Sequence, residues 1–65
     1  MNLNTRDTIM KKLLDAQENV RDYEKFSKQV SDNEVRNAFK QFAEESGMHA
    51  RKLQELIDKY DNRQS

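Results

Sequence analysis

Val30-Ser31-Asp32-Asn33-Glu34-Val35 is the stretch that decides between one long helix and two. Ser31 followed three residues later by Glu34 has the spacing of a capping box, in which each side chain satisfies a backbone N–H at a helix start. Val30 and Val35 then occupy the two positions of a hydrophobic staple around that start. The apolar phase supplies a second, independent sign. Continuing the stripe of the first half past Val30 requires apolar residues near 34, 37 and 41, where the chain has Glu34, Asn37 and Gln41. The stripe restarts at Val35, five residues and about 140° further round a helix. Two signs of different kind predict a break here.

On either side of the break the periodicity is helical. Ile9, Leu13, Ala16, Val20, Tyr23 and Val30 follow steps of three, four or seven, with Met10, Leu14 and Phe26 beside them. The second stripe runs through Val35, Ala38, Phe39, Phe42, His49, Leu53, Leu56, Ile57 and Tyr60. Strict alternation never persists beyond a few residues, so strands are not expected. Glu24 and Lys28, and Glu55 and Lys59, are spaced as i,i+4 pairs in the favourable order. The pattern predicts an all-α chain forming one domain over residues 1–65. Helix 1 is expected near 5–29, capped by Asn4 or Thr5, then a turn near 30–32, helix 2 near 32–60, and a frayed tail at 61–65. At 1.5 Å per residue the helices would be about 37 and 43 Å long, matched for an antiparallel hairpin.

Composition narrows the functional classes. The chain has 65 residues, of which 37% are charged and 34% hydrophobic, so the core must be small. It has no Cys, which excludes disulfides and thiolate metal sites. It has no Pro and one Gly, against linkers and hairpin turns. Residues 1–30 carry six basic and five acidic side chains and residues 31–65 carry six and seven, so no basic arm exists for nucleic acid or an anionic membrane. No apolar run approaches the ~20 residues of a membrane span, and no signal-peptide core is visible. A cytoplasmic location is the expectation.

The inventory for chemistry is thin. One His and no Cys leave nucleophilic catalysis without most of its parts, and there is no glycine-rich phosphate loop. Ser46 precedes His49 by three residues, but nothing orients the imidazole in turn. Glu44 and Glu45 point to different helix faces. No catalytic or cofactor-binding residue is assigned. Gly47 lies inside a predicted helix, at a cost of about 1 kcal/mol against Ala. With Ala43, Ser46 and Ala50 it forms a small-residue patch that another helix can approach closely.

The segment Phe39-Lys40-Gln41-Phe42-Ala43-Glu44-Glu45-Ser46-Gly47-Met48-His49-Ala50-Arg51-Lys52-Leu53, with Tyr23 and Phe26, resembles one helical hairpin of the ferritin-like superfamily, rubrerythrin type. The resemblance covers about residues 9–57, one of the two hairpins of such a bundle. It implies that His49 falls on the family's ligand His, followed by Ala50 and Leu53. The first-helix ligand falls on Asp15, or on Glu18 one turn away. Ser46 stands where the family has a ligand Glu, and Glu45 is the nearest substitute. Di-iron chemistry needs carboxylates from four helices and two His. A hairpin with Ser46 at that place is therefore expected to hold no metal and to have no oxidase activity.

The apolar stripes are wider than one hairpin seam, with Met10, Leu14, Phe39 and Ile57 beside it. A second copy of the chain is the expected cover, giving a homodimer or higher homo-oligomer arranged as a four-helix bundle. Its interface is expected to draw on Ile9, Leu13, Val20, Phe39, Phe42, His49, Leu53 and Leu56, with His49 largely buried there. The expected function is that of a small non-enzymatic, self-associating helical protein. Two alternatives stay open. One is a metal-binding protein whose site, assembled across a dimer, uses His49, Glu45, Glu18 and Asp15. The other is a regulator that pairs its apolar face with helices of another protein.

Overall fold

The structure, a computed structural model, describes residues 4–64. Two helices, α1 (Thr5–Ser27) and α2 (Asn33–Gln64), pack against each other as a hairpin, and no strand occurs among the described residues. Asn4 caps α1: its Oδ1 accepts from the Asp7 backbone N–H at 2.7 Å, satisfying one of the donors a helix start leaves free. Helix α1 ends two residues earlier than the apolar pattern predicts. Beyond Ser27 the N–H groups of Gln29 and Val30 both turn back to the Phe26 carbonyl, at 3.0 and 3.1 Å, which closes the helix and starts the turn. Lys28 thus lies outside the helix, so Glu24 and Lys28 do not form the within-helix pair that their spacing suggests.

The chain breaks where the sequence says, but with different capping chemistry. Asp32, not Ser31, caps α2: its Oδ1 accepts from the Val35 N–H at 3.1 Å and its carbonyl from the Arg36 N–H at 2.9 Å. This moves the helix start one residue on and dissolves the staple, because Val35 now sits at the third helical position and is exposed. The Arg36 guanidinium braces the turn instead, donating to the Val30 carbonyl at 3.0 Å and, at 3.4 Å, to Asn33 Oδ1. At the far end, residues 61–64 of the expected frayed tail are helical, and Ser65 lies outside the described residues. Asp61 is held at the start of this stretch. Arg6 clamps it in a forked pair, Nε to Oδ1 at 2.6 Å and Nη2 to Oδ2 at 3.2 Å, tying the end of α2 to the start of α1.

The seam between the helices is narrow and mixes small residues with two large apolar ones. Leu13, Ala16, Ala43 and Ile57 are its buried apolar side chains, joined by Ser27 and Ser46. The two serines and Ala43 lie outside the apolar stripes, so an apolar pattern alone misses half of the seam. Ser27 is accommodated because its hydroxyl donates to the Glu24 carbonyl at 2.8 Å. Towards the turn the seam widens into a ring cluster: Tyr23 meets Phe39 at 5.5 Å and Phe42 edge-on at 5.4 Å between centroids. Phe39 and Ile57, expected to need an outside cover, are half-buried and buried within the single chain.

Candidate functional site

A hairpin of two helices has two open sides, and here they differ. One side carries a groove lined by Lys12, Asp15, Ala16, Asn19, Ser46, His49, Lys52 and Leu53. The floor is apolar or small, formed by Ala16, Ser46 and Leu53, while lysines from both helices stand at its rim. The other side carries a groove in which Glu24, Lys40 and Glu44 surround Val20, Ala43 and Gly47. Each groove thus sets three charged side chains of mixed sign around a small or apolar floor: Lys12, Asp15 and Lys52 at the first, Glu24, Lys40 and Glu44 at the second.

Most of the residues expected at an interface serve the hairpin itself. Leu13 is buried, and Ile9, Val20, Phe39, Leu53 and Leu56 are half-buried by packing within one chain. Phe42 and His49 are exposed. His49, expected to be buried at an interface between copies, is open to solvent in the single chain. His49 follows the buried Ser46 by three residues, which turns it about 60° off the seam and onto the rim of the first groove. The large apolar side chains that remain exposed are Leu14, Phe26, Val35, Phe42 and Met48, of which Leu14 and Met48 are the most open at 57% and 69%. Lys25 lies over the Phe26 ring at 5.7 Å, covering part of its face.

Of the residues that the ferritin-like resemblance picks out, Asp15 and His49 line the same groove. Glu18 and Glu45 are exposed and line neither groove, and Glu45 accepts from the Gln41 side chain at 3.5 Å. Among the described residues no group of three or more His, Cys, Asp or Glu converges on one point. Asp15 is already engaged: Lys11 approaches Oδ2 to 3.2 Å and Lys12 to 3.5 Å. The hydrogen bond from Lys11, reinforced by the charge of both lysines, holds the Asp15 carboxyl below the usual carboxylate range.

Gly47 stands on the second groove, facing Val20. A methyl group built there would lie 3.9 Å from Val20 Cγ2, an ordinary contact, so helix approach does not require glycine at this point. No helix among the described residues is long and apolar enough to cross a membrane. No protein-family model matches the chain, and neither does any curated protein or solved structure.

Proposed function

We propose that this chain is a non-enzymatic helical association module that packs against a second copy of itself to complete a four-helix bundle. The observation that carries this reading is surface. The hairpin exposes 5311 Å², whereas a compact monomer of 7.8 kDa exposes about 4,400 Å². The excess, about 900 Å², is close to the roughly 800 Å² that each partner gives to an interface of standard size. The shape agrees: the Cα trace measures 49 × 24 × 13 Å, one helix thick, and its radius of gyration is 14.9 Å against about 11 Å for a compact chain of this length. Domains normally close their core between two packed layers, and this slab is a single layer. A core of Leu13, Ala16, Ala43 and Ile57 offers little to offset the entropy of ordering the chain.

Sedimentation equilibrium over a thousandfold concentration range tests the reading. A dimer mass is expected, with a melting temperature that rises with protein concentration. A monomer with a concentration-independent melt refutes it. A metal site assembled across such a dimer is the second reading, favoured by Asp15 and His49 lining one groove. Metal analysis of protein purified without chelators decides it, since stoichiometric metal lost in His49→Ala establishes that site.

A further inference from the structure

Ser46 is only 7% exposed, yet its hydroxyl meets no hydrogen-bond partner among the described residues. Ser27, the other buried serine, satisfies its hydroxyl on the Glu24 carbonyl. Buried polar groups are normally paired, because leaving one unpaired costs the free energy of stripping its water. Ser46 is not sealed in the seam. No unpaired side-chain nitrogen or oxygen among the described residues is shut off from solvent, and Ser46 lines the first groove. Its hydroxyl therefore opens into that groove and is left to whatever fills it.

Two more uncharged polar side chains stand on the same groove with no partner among the described residues, Asn19 from α1 and His49 from α2. The second groove has none, since its uncharged lining is Val20, Ala43 and Gly47. The grooves hold equal numbers of charges but opposite excesses. Two lysines against one aspartate leave the first with one positive charge in excess. One lysine against two glutamates leave the second with one negative charge in excess. Lys11 and Glu55, which pair with Asp15 and Lys52 from outside the first groove, add one charge of each sign and leave its excess unchanged.

We infer that the groove bounded by Lys12, Asn19, Ser46, His49 and Lys52 binds a small organic monocarboxylate with an apolar body. Three uncharged polar groups with free hydrogen bonds and an excess of positive charge suit an acceptor-rich anion. A single excess charge suits a monoanion. Ala16 and Leu53 on the floor give the body of such a ligand apolar surface, and the volume of about 380 Å³ is that of a small-molecule site. Both walls come from one hairpin, so the site goes beyond self-association and needs no second copy.

Titration with sodium benzoate at constant ionic strength, followed by amide NMR of the full chain, tests the site. Saturable shifts are expected at Asn19, Ser46, His49 and Leu53, with none of comparable size at Val20 or Gly47. Benzyl alcohol, which keeps the ring and lacks the charge, and inorganic phosphate, which lacks the ring, should each bind about tenfold more weakly or worse. Ser46→Ala should weaken benzoate about tenfold, the effect of losing one charge-assisted hydrogen bond. It should not lower the melting temperature, because the hydroxyl has no partner in the chain to lose and Ala favours helix. Lys52→Gln should weaken binding about threefold, as expected of an exposed charge, and Lys40→Gln on the second groove should not weaken it. Shifts that never saturate, or that are equal at the two grooves, overturn the site. Unchanged binding in Ser46→Ala leaves that hydroxyl to water alone and also overturns it. Benzyl alcohol or phosphate binding as tightly as benzoate overturns the assigned ligand class.

Discussion

The two open sides of the hairpin are built from the same helices and differ in what stands beside the seam. On one side Lys12, Asp15, His49 and Lys52 stand around Ala16, Ser46 and Leu53; on the other Glu24, Lys40 and Glu44 stand around Val20, Ala43 and Gly47. A turn of helix contributes to both sides, so the asymmetry must be written residue by residue along the chain. The difference is one of residue identity, with the chain's one imidazole on the first side and its one glycine on the second.

The largest expected effects lie between the sides, in the seam that both share. Ile57→Ala should destabilise the protein by about 2–5 kcal/mol, the usual result of emptying a buried apolar position, while Leu14→Ala should stay within about 0.5 kcal/mol. Urea unfolding at one fixed protein concentration measures both. If the two variants proved equal, Leu14 would be covered in solution.

Next in size is the cap. Asp32→Ala should cost about 0.5–2 kcal/mol, and Ser31→Ala little, because Asp32 holds the Val35 N–H. The reverse order would restore Ser31 as the cap and move the start of α2 back by one residue. Gly47→Ala sharpens the comparison from the second groove. There is room for the methyl beside Val20, so the variant should gain about 1 kcal/mol from helix propensity. A loss of dimer would show that Gly47 faces a partner.

The smallest effect belongs to the open end. The hydrogen bond from Arg6, with its charge, depresses the Asp61 carboxyl below its ordinary value. A depressed folded-state value means that the pair stabilises the protein above the ordinary carboxylate range, and that this is lost as pH falls through the depressed one. The melting temperature should therefore fall on acidification, and Asp61→Asn should remove part of that dependence. Because the pair is exposed, 0.5 M salt should shrink the difference. An Asp61→Asn variant with the wild-type pH profile would show that α2 reaches its end without the clamp.

Most of the fold is legible in local signals. The apolar steps of three and four mark both helices, and the out-of-phase restart at 35 marks the break, because a helix propagates its periodicity rigidly and a shift in phase cannot occur inside one. Asn4 is readable as a cap for the same local reason. Ser31 and Asp32 are both able to cap, and the choice between them rests on where the turn, closed by the Gln29 and Val30 N–H groups on the Phe26 carbonyl, releases the chain. The ordered residues 61–64 were not legible, since Arg6 and Asp61 are 55 positions apart. Ser46 was legible only as part of a small-residue patch, and Ser27 was passed over because a hydroxyl carries no apolar signal, although it is small enough to sit where two helices touch.

By itself the sequence determined that the chain is helical and that it forms two helices with a break near residues 30–32. Those properties depend on neighbours within a turn or two. Which part of each stripe is buried was decided only by the tertiary structure. Phe42, His49 and Leu53 belong to one stripe in the sequence, yet the line along which α1 lies on α2 half-buries Leu53 and leaves Phe42 and His49 in the open. A helix of given sequence can present any part of a broad stripe to its partner. The line of contact runs through Leu13, Ala16, Ala43, Ser46 and Ile57, and the rest of each stripe flanks it or faces outward.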